Sequence, residues 1–254
     1  MKKLCAILFL LFAALAVLVA CASTGGGKGA DPNDATAYNR RDNAYSDKGD
    51  IDKAIADYDQ AIRLDPNDAA AYNSRGIAYV KKSDYDRAIA DFNQAIRLNP
   101  NSAIAYTNRG KAYSDKGDID KAIADYDQAI RLNPNDADAY NSRGIAYNNK
   151  GDLDKAIADF NQMIRLDPNF AIAYSNRGST YGKKGDYDRA IADFNQAIRL
   201  NPDSAITYYI RGNAYYMKKD YNRAIADYEA ALRINPNYPD ARKQLEEARK
   251  ARGR

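Results

Sequence analysis

Side chains capable of chemistry are unevenly supplied in this sequence of 254 residues, which has no His, no Trp and only two cysteines, Cys5 and Cys21. Chemistry that needs imidazole, a Cys/His metal site or a disulfide framework is thereby excluded or nearly so. What remains is a thiol at Cys21 and two regular sets of opposite charge. Arg75, Arg109, Arg143, Arg177 and Arg211 recur at a fixed interval, and so do Asp91, Asp125, Asp159, Asp193 and Asp227. A guanidinium presents a planar fork that matches a carboxylate. The chemistry of these two sets is therefore ion pairing inside a scaffold, a stacked ladder between helices partly buried along the arginine stems. A third set, Arg63 to Arg233, keeps the same interval. The remaining aspartates sit at repeating phases with helical duties such as caps and exposed faces, so no one pair of them is a good acid–base couple. No serine stands in a strained strand-to-helix turn. The run "GGGKG" lacks the hydroxyl residue, the first glycine and the preceding strand of a phosphate loop. No catalytic residue, cofactor or metal is expected.

These charges are positioned by an internal repeat. Pro66, Pro100, Pro134, Pro168, Pro202 and Pro236 are spaced by 34 residues without insertion. Six units follow: 35–68, 69–102, 103–136, 137–170, 171–204 and 205–238. Counting places from the alanine that opens each unit, Tyr holds places four and eleven, Arg holds seven, Ala holds twenty, Asp twenty-three and Phe or Tyr twenty-four. Tyr at four and eleven shares a helical face with the small residue at eight. Triplets such as Lys116-Gly117-Asp118 end the first helix with a left-handed Gly and offer Asp as the next N-cap. The second helix, for example "IDKAIADYDQAIRL", carries its apolar residues at i, i+3, i+4 and i+7, and Asn-Pro or Asp-Pro terminates it. Alanines at places twenty and twenty-seven, facing the glycine at eight, allow a close approach. Residues 239–254 read as a charged capping helix whose thin apolar side is Leu245 and Ala248.

With its Tyr, Gly, Tyr, Ala, aromatic and Pro phases, this pattern resembles the tetratricopeptide repeat, over 204 residues. The family's tryptophan at place four is Tyr here, and its leucine at seven is Arg. The resemblance implies an all-α, right-handed superhelical solenoid of six helix-turn-helix units plus the capping helix. It also implies that the first helices line a concave groove. Places two, five, six, nine, twelve and thirteen would face that groove, including Asn39, Asn43, Asn73, Ile77, Thr107, Asn108, Lys111, Asn141, Ile145, Ser175, Asn176, Ser179, Tyr209, Asn213 and Tyr216. Asn and Ser there can hydrogen-bond an extended peptide's main chain. No three consecutive units supply the Lys/Asn/Arg set with which some relatives clamp a terminal carboxylate. In the sixth unit, Tyr209, Ile210, Tyr216 and Met217 form an apolar cluster that either binds a partner or packs beneath the capping helix. Asp42 replaces the glycine of its siblings; looser packing or pairing with Arg40 or Arg41 would accommodate it.

The N-terminal residues have a different character. "MKK", the apolar run Leu4 to Ala20 and "LVAC" have the layout of a secretory signal over 1–20. The ending is similar to the bacterial lipobox, which implies that Cys21 is diacylglycerol-modified, exposed by cleavage and N-acylated. Residues 21–34 then form a flexible tether. Charge runs from −3 in the first unit to +3 in the tail; a basic end suits an anionic lipid or acidic partner, and nucleic acid is not expected of an exported chain. The sequence therefore reads as a non-enzymatic adaptor, lipid-anchored in the cell envelope. The site would be the periplasmic face of the outer membrane if the source is a diderm bacterium. Its groove would bind a protein or extended peptide, as in tetratricopeptide lipoproteins that serve pilus assembly, secretion or cell-wall machinery. The alternative is a surface-exposed lipoprotein that meets a host as adhesin or antigen. Oligomeric state is not legible.

Overall fold

The computed structural model describes residues 50–253. Residues 1–49, which include the segments read as signal and tether, Cys21, and Asn39, Asp42 and Asn43 of the first unit, lie outside the described residues. Twelve helices follow one another: α1 (Ile51–Leu64), α2 (Ala69–Lys81), α3 (Tyr85–Leu98), α4 (Ala103–Lys116), α5 (Ile119–Leu132), α6 (Ala137–Lys150), α7 (Leu153–Leu166), α8 (Ala171–Lys183), α9 (Tyr187–Leu200), α10 (Ala205–Met217), α11 (Tyr221–Ile234) and α12 (Pro239–Arg252). The described residues are all helix and turn.

Helix ends follow the sequence with one division of labour. Asp84, Asp186 and Asp220 cap α3, α9 and α11 by accepting from the backbone N–H three residues on. Asp118 and Asp152 make no such bond and instead take the ammonium of Lys121 and Lys155. The turn between the two helices of a unit needs a left-handed residue, supplied by Gly117, Gly151 and Gly185. In the second and sixth units it is forced on Ser83 (φ 59°) and Lys219 (φ 62°).

The core is an array of small and aromatic residues. Within each unit the ring at place twenty-four lies on the glycine at eight. A Cβ on Gly144 would stand 2.7 Å from Phe160 Cε1, and one on Gly110 would stand 2.7 Å from Tyr126 Cε1. The same ring also supports the next unit: Phe160 clusters with Ala173, and Phe194 with Ala214. Each first helix thus wedges between the two helices of the unit before it. First helices also touch their counterparts in adjacent units, which places them on the inside of the curve. No unit closes its own core, so stability resides in stacking. At the end of the array α12 covers the last ring, with Leu245 and Ala248 packed against Ala224, Ile225 and Tyr228.

Candidate functional site

The arginines at place seven hold the units together. Arg109 donates from Nε to Asp125 Oδ2 (2.8 Å) and from Nη2 to Oδ1 (2.6 Å), a two-pronged bond between α4 and α5. The same fork joins Arg75 to Asp91, Arg143 to Asp159, Arg177 to Asp193 and Arg211 to Asp227, at 2.6–2.9 Å. The third nitrogen, Nη1, reaches back to place twenty-five of the preceding unit. That residue is Asp59 for Arg75, Asn93 for Arg109, Asp127 for Arg143, Asn161 for Arg177 and Asn195 for Arg211. One guanidinium therefore ties three helices across two units, with the tyrosine at place four beneath it (5.4–5.6 Å from ring centroid). The fork onto Asp91, working against the burial of the guanidinium, raises the pKa of Arg75. At Asp159 burial dominates, and the carboxyl lies above the ordinary carboxylate range in spite of the Arg143 fork. The third arginine set takes no part: Arg63, Arg131 and Arg199 bond Gln60, Gln128 and Gln196 one turn back on the exposed side.

Several residues expected to face the groove instead belong to the seams between first helices. Places five and twelve point along the array at the next unit. Asn73 accepts from Asn108 Nδ2 (3.0 Å), and Asn141 accepts from Asn176 Nδ2 (2.8 Å). Asn148 donates to Thr180 Oγ1 (2.8 Å) and accepts from Lys183 Nζ (2.6 Å). Thr107, at place five of the third unit, is buried, and its hydroxyl has no hydrogen-bond partner. It faces no groove, and the matching place six of the next unit is Ser142 rather than the Asn that bridges the neighbouring seams. For Tyr209 and Tyr216 the structure shows the second of the two alternatives, packing beneath the capping helix. Both pack on the cluster beneath α12, Tyr209 with its ring 5.0 Å from that of Tyr238 and 6.1 Å from that of Tyr228. Asn213 accepts the hydroxyl of Tyr228 at 2.8 Å, which satisfies a buried phenol.

The open face of the first helices is formed by places two, nine and thirteen. Ile77, Lys111 and Ile145 lie on it, exposed. Sequence reasoning placed the phases but passed over Ile104 (65% exposed), Ile172 (52%) and Ile206 (59%), which dominate this face together with Met217 (57%) of the sixth-unit cluster. Their signal was present: places two and nine, two helical turns apart, share a face, and each fully described unit carries Ile at one of them. Where this face crosses the seam of α8 and α10 it deepens into two adjoining recesses of about 320 Å³ each. One is lined by Gly182, Tyr187, Phe194, Ala214 and Met217, with Lys183 at its rim. The other is lined by Ile172, Ser175, Asn176, Ile206 and Thr207. Ser179 and Ile210 belong to both. Ile210 stands where earlier seams carry Asn108 or Asn176, so no side-chain amide closes this one.

Family models described as TPR repeat match residues 43–83, 78–117 and 110–151, and models described as tetratricopeptide repeat match 137–170 and 176–239. No curated protein matches the chain. Among solved structures it is similar to MamA, at 32% identity over 63% of this chain and 94% of that one, TM-score 0.59. It is also similar to YrrB, titled a TPR protein with an unusual peptide-binding site, at 30% identity over 70% and 92% of the two chains, TM-score 0.58. A chain of the APC/C hetero-tetramer Cut9–Hcn1 shares the fold at TM-score 0.72 and 24% identity over 86% of this chain; the present chain spans 44% of that one. The ring-on-glycine units, the wedged first helices and these matches agree: the chain belongs to the tetratricopeptide repeat family.

Proposed function

We propose that this protein is a non-catalytic scaffold that docks an extended segment of a partner protein along the open face of its first helices. The observation that carries the reading is the stripe of exposed isoleucines, Ile77, Ile104, Ile145, Ile172 and Ile206. Burial of a large apolar side chain is favourable by about 1.5–3 kcal/mol, and a solenoid with ample alanine has no packing reason to leave five of them in water on one side. The outer face carries alanine at corresponding exposed positions, such as Ala90, Ala124 and Ala158. Flanking Asn176 and Ser179 supply polar atoms for a peptide's main chain, as in other clefts that combine an apolar floor with a few hydrogen-bonding groups.

The same proposal places the scaffold on a membrane through Cys21 as its lipid anchor, in the envelope of a bacterium, supported by the "LVAC" signal and the glycine-rich stretch after it. Two or three acyl chains, at about 0.8 kcal/mol per buried methylene, hold a protein firmly at a bilayer. A photo-crosslinking residue at position 104, 172 or 206 in cells should capture one partner that the same residue at 124 or 158 does not. Equal capture from both faces refutes the docking surface. Cys21→Ser should release the protein from the membrane fraction, and retention there refutes the anchor.

A further inference from the structure

The seam between the fifth and sixth units differs from the others in ways that specify what it accepts. Place twelve is filled by Val80, Ser114, Asn148 and Tyr216 elsewhere, but here it is Gly182, and a Cβ built there meets no atom within 4 Å. Place six is Ile210, so the amide bridge seen at the Asn73–Asn108 and Asn141–Asn176 seams has no counterpart. The result is an apolar recess floored by Phe194 and Ala214 and walled by Tyr187, Ile210 and Met217. At its rim stands the exposed Lys183, whose ammonium spends one of its three donors on Asn148. None of the residues lining the two recesses is an acid. The paired cations nearby, Lys184 with Asp154 and Lys218 with Asp188, are neutralised on the far side of the turn.

We infer that this seam is the specificity pocket of the docking face, and that its occupant is an extended peptide segment carrying a bulky apolar side chain next to a carboxylate. The apolar side chain enters the space left by Gly182. The carboxylate meets the free donors of Lys183. Ser179, shared by the two recesses, and Asn176, in the second, offer oxygens to the peptide's main-chain N–H groups, since the Ser179 hydroxyl donates to Ser175 O (2.9 Å) and the Asn176 amide to Asn141. The neighbouring recess, lined by Ile172 and Ile206, covers the next side chain on the same edge of the strand. An acidic segment is favoured over a basic one because Lys183 is the single formal charge in the lining. This inference rests on the docking reading above and narrows it to one seam and one chemistry.

The test uses the chain lacking its signal segment and three fluorescein-labelled hexapeptides, Gly-Ser-Phe-Glu-Ser-Gly and its Phe→Ala and Glu→Gln analogues. Fluorescence polarisation gives the affinity. The parent peptide should saturate below about 1 mM, and either analogue should bind roughly 5–10-fold more weakly. Gly182→Leu, which has room to fold and replaces a helical glycine by a better helix former, should weaken the parent peptide about 10-fold or more while its urea midpoint holds or rises. Lys183→Gln should abolish the preference for Glu over Gln and leave the preference for Phe over Ala intact. Amide shifts on binding should centre on Ser179, Gly182 and Asn213. Unchanged binding to Gly182→Leu, together with loss in Ile77→Asp/Ile145→Asp, overturns the seam assignment and keeps the docking face. Absence of binding by every peptide and every variant overturns both.

Discussion

Asp125 and Asp159 occupy the same place in adjacent units and make the same fork, yet their replacement by Asn should have unequal costs. Arg109 has one carboxylate partner, Asp125, and its third nitrogen bonds the neutral Asn93. Arg143 has two, Asp159 and Asp127. In Asp125→Asn one prong survives on the amide oxygen, while the other meets an NH₂ and is lost, leaving a guanidinium with 19% of its side chain exposed and no counter-charge. A hydrogen bond to a charged group is worth about 1.5–3 kcal/mol, and stranding a fully buried charge costs about 3–5 kcal/mol. With this partial exposure the expected loss is about 2–3 kcal/mol. In Asp159→Asn the guanidinium keeps Asp127, and a carboxylate that burial already disfavours is removed, so about 1 kcal/mol is expected. Urea unfolding followed by circular dichroism, at an m-value of roughly 2 kcal/mol/M, should lower the midpoint by about 1–1.5 M for Asp125→Asn and about 0.5 M for Asp159→Asn. Since arrays need not unfold in one step, amide exchange of α4 and α6 locates each loss. Equal shifts, or a larger one for Asp159→Asn, would refute the view that the second carboxylate decides the cost.

Gly144→Ala should destabilise by about 1–3 kcal/mol, because its methyl would meet the fully buried Phe160 ring at 2.7 Å; a neutral melting curve would show that the ring can swing aside. Thr107→Val removes a buried hydroxyl without a partner and should stabilise by about 1 kcal/mol, whereas a loss in the same urea assay would reveal a bond to water. Ser83→Gly should gain about 0.5–1 kcal/mol by relieving a left-handed serine, and Gly117→Ala, at the equivalent turn with φ 96°, should lose a similar amount. The Asp159 carboxyl is held above its ordinary pKa by burial. Its share of stability is therefore complete below the unfolded value near 3.9 and is lost as pH rises through the folded pKa; a carboxyl carbon titration by NMR that places it below 3.9 would refute this.

The fold was legible because a strict interval of 34 residues made every phase visible six times. The Arg–Asp phases were legible for the same reason. Their second partner at place twenty-five was not, since Asp59, Asn93, Asp127, Asn161 and Asn195 vary in charge and look like ordinary surface residues. The groove was read less well. The family resemblance assigns place five to the interior of the curve, but whether that residue meets solvent depends on its neighbours across the seam. Asn73 finds Asn108; Thr107, with Ser142 rather than Asn at the matching place six, is buried without a partner. The seam of α8 and α10 was missed because it is made by an absence: the open space beside Gly182 is not a residue pattern.

Leu245 shows why the arginines are there at all. Continuing the count past the sixth unit, it occupies place seven of a seventh, where every described unit has Arg, and it lies in the apolar cluster with Tyr228 and Ile225. Among the described residues no second helix packs behind the capping helix, and no aspartate stands where an arginine at 245 could fork it. An arginine at 245 would carry its charge into that cluster without a carboxylate to fork, and the acid at place twenty-five that could take its third nitrogen, Glu229, is already bound by Arg249. The contact with the preceding unit is kept by a different residue, Arg249, which donates to Glu229 at place twenty-five (2.8 Å). Among the described residues, arginine at place seven thus goes with a paired second helix in the same unit, as a scaffold residue must and a groove residue need not. Leu245→Arg should accordingly destabilise the cap by about 3 kcal/mol or more and loosen Tyr209 and Tyr216, seen as faster amide exchange in α10 and α12. If Leu245→Arg is tolerated, the ladder does not depend on its acidic partners, and the structural assignment of all five arginines fails with it.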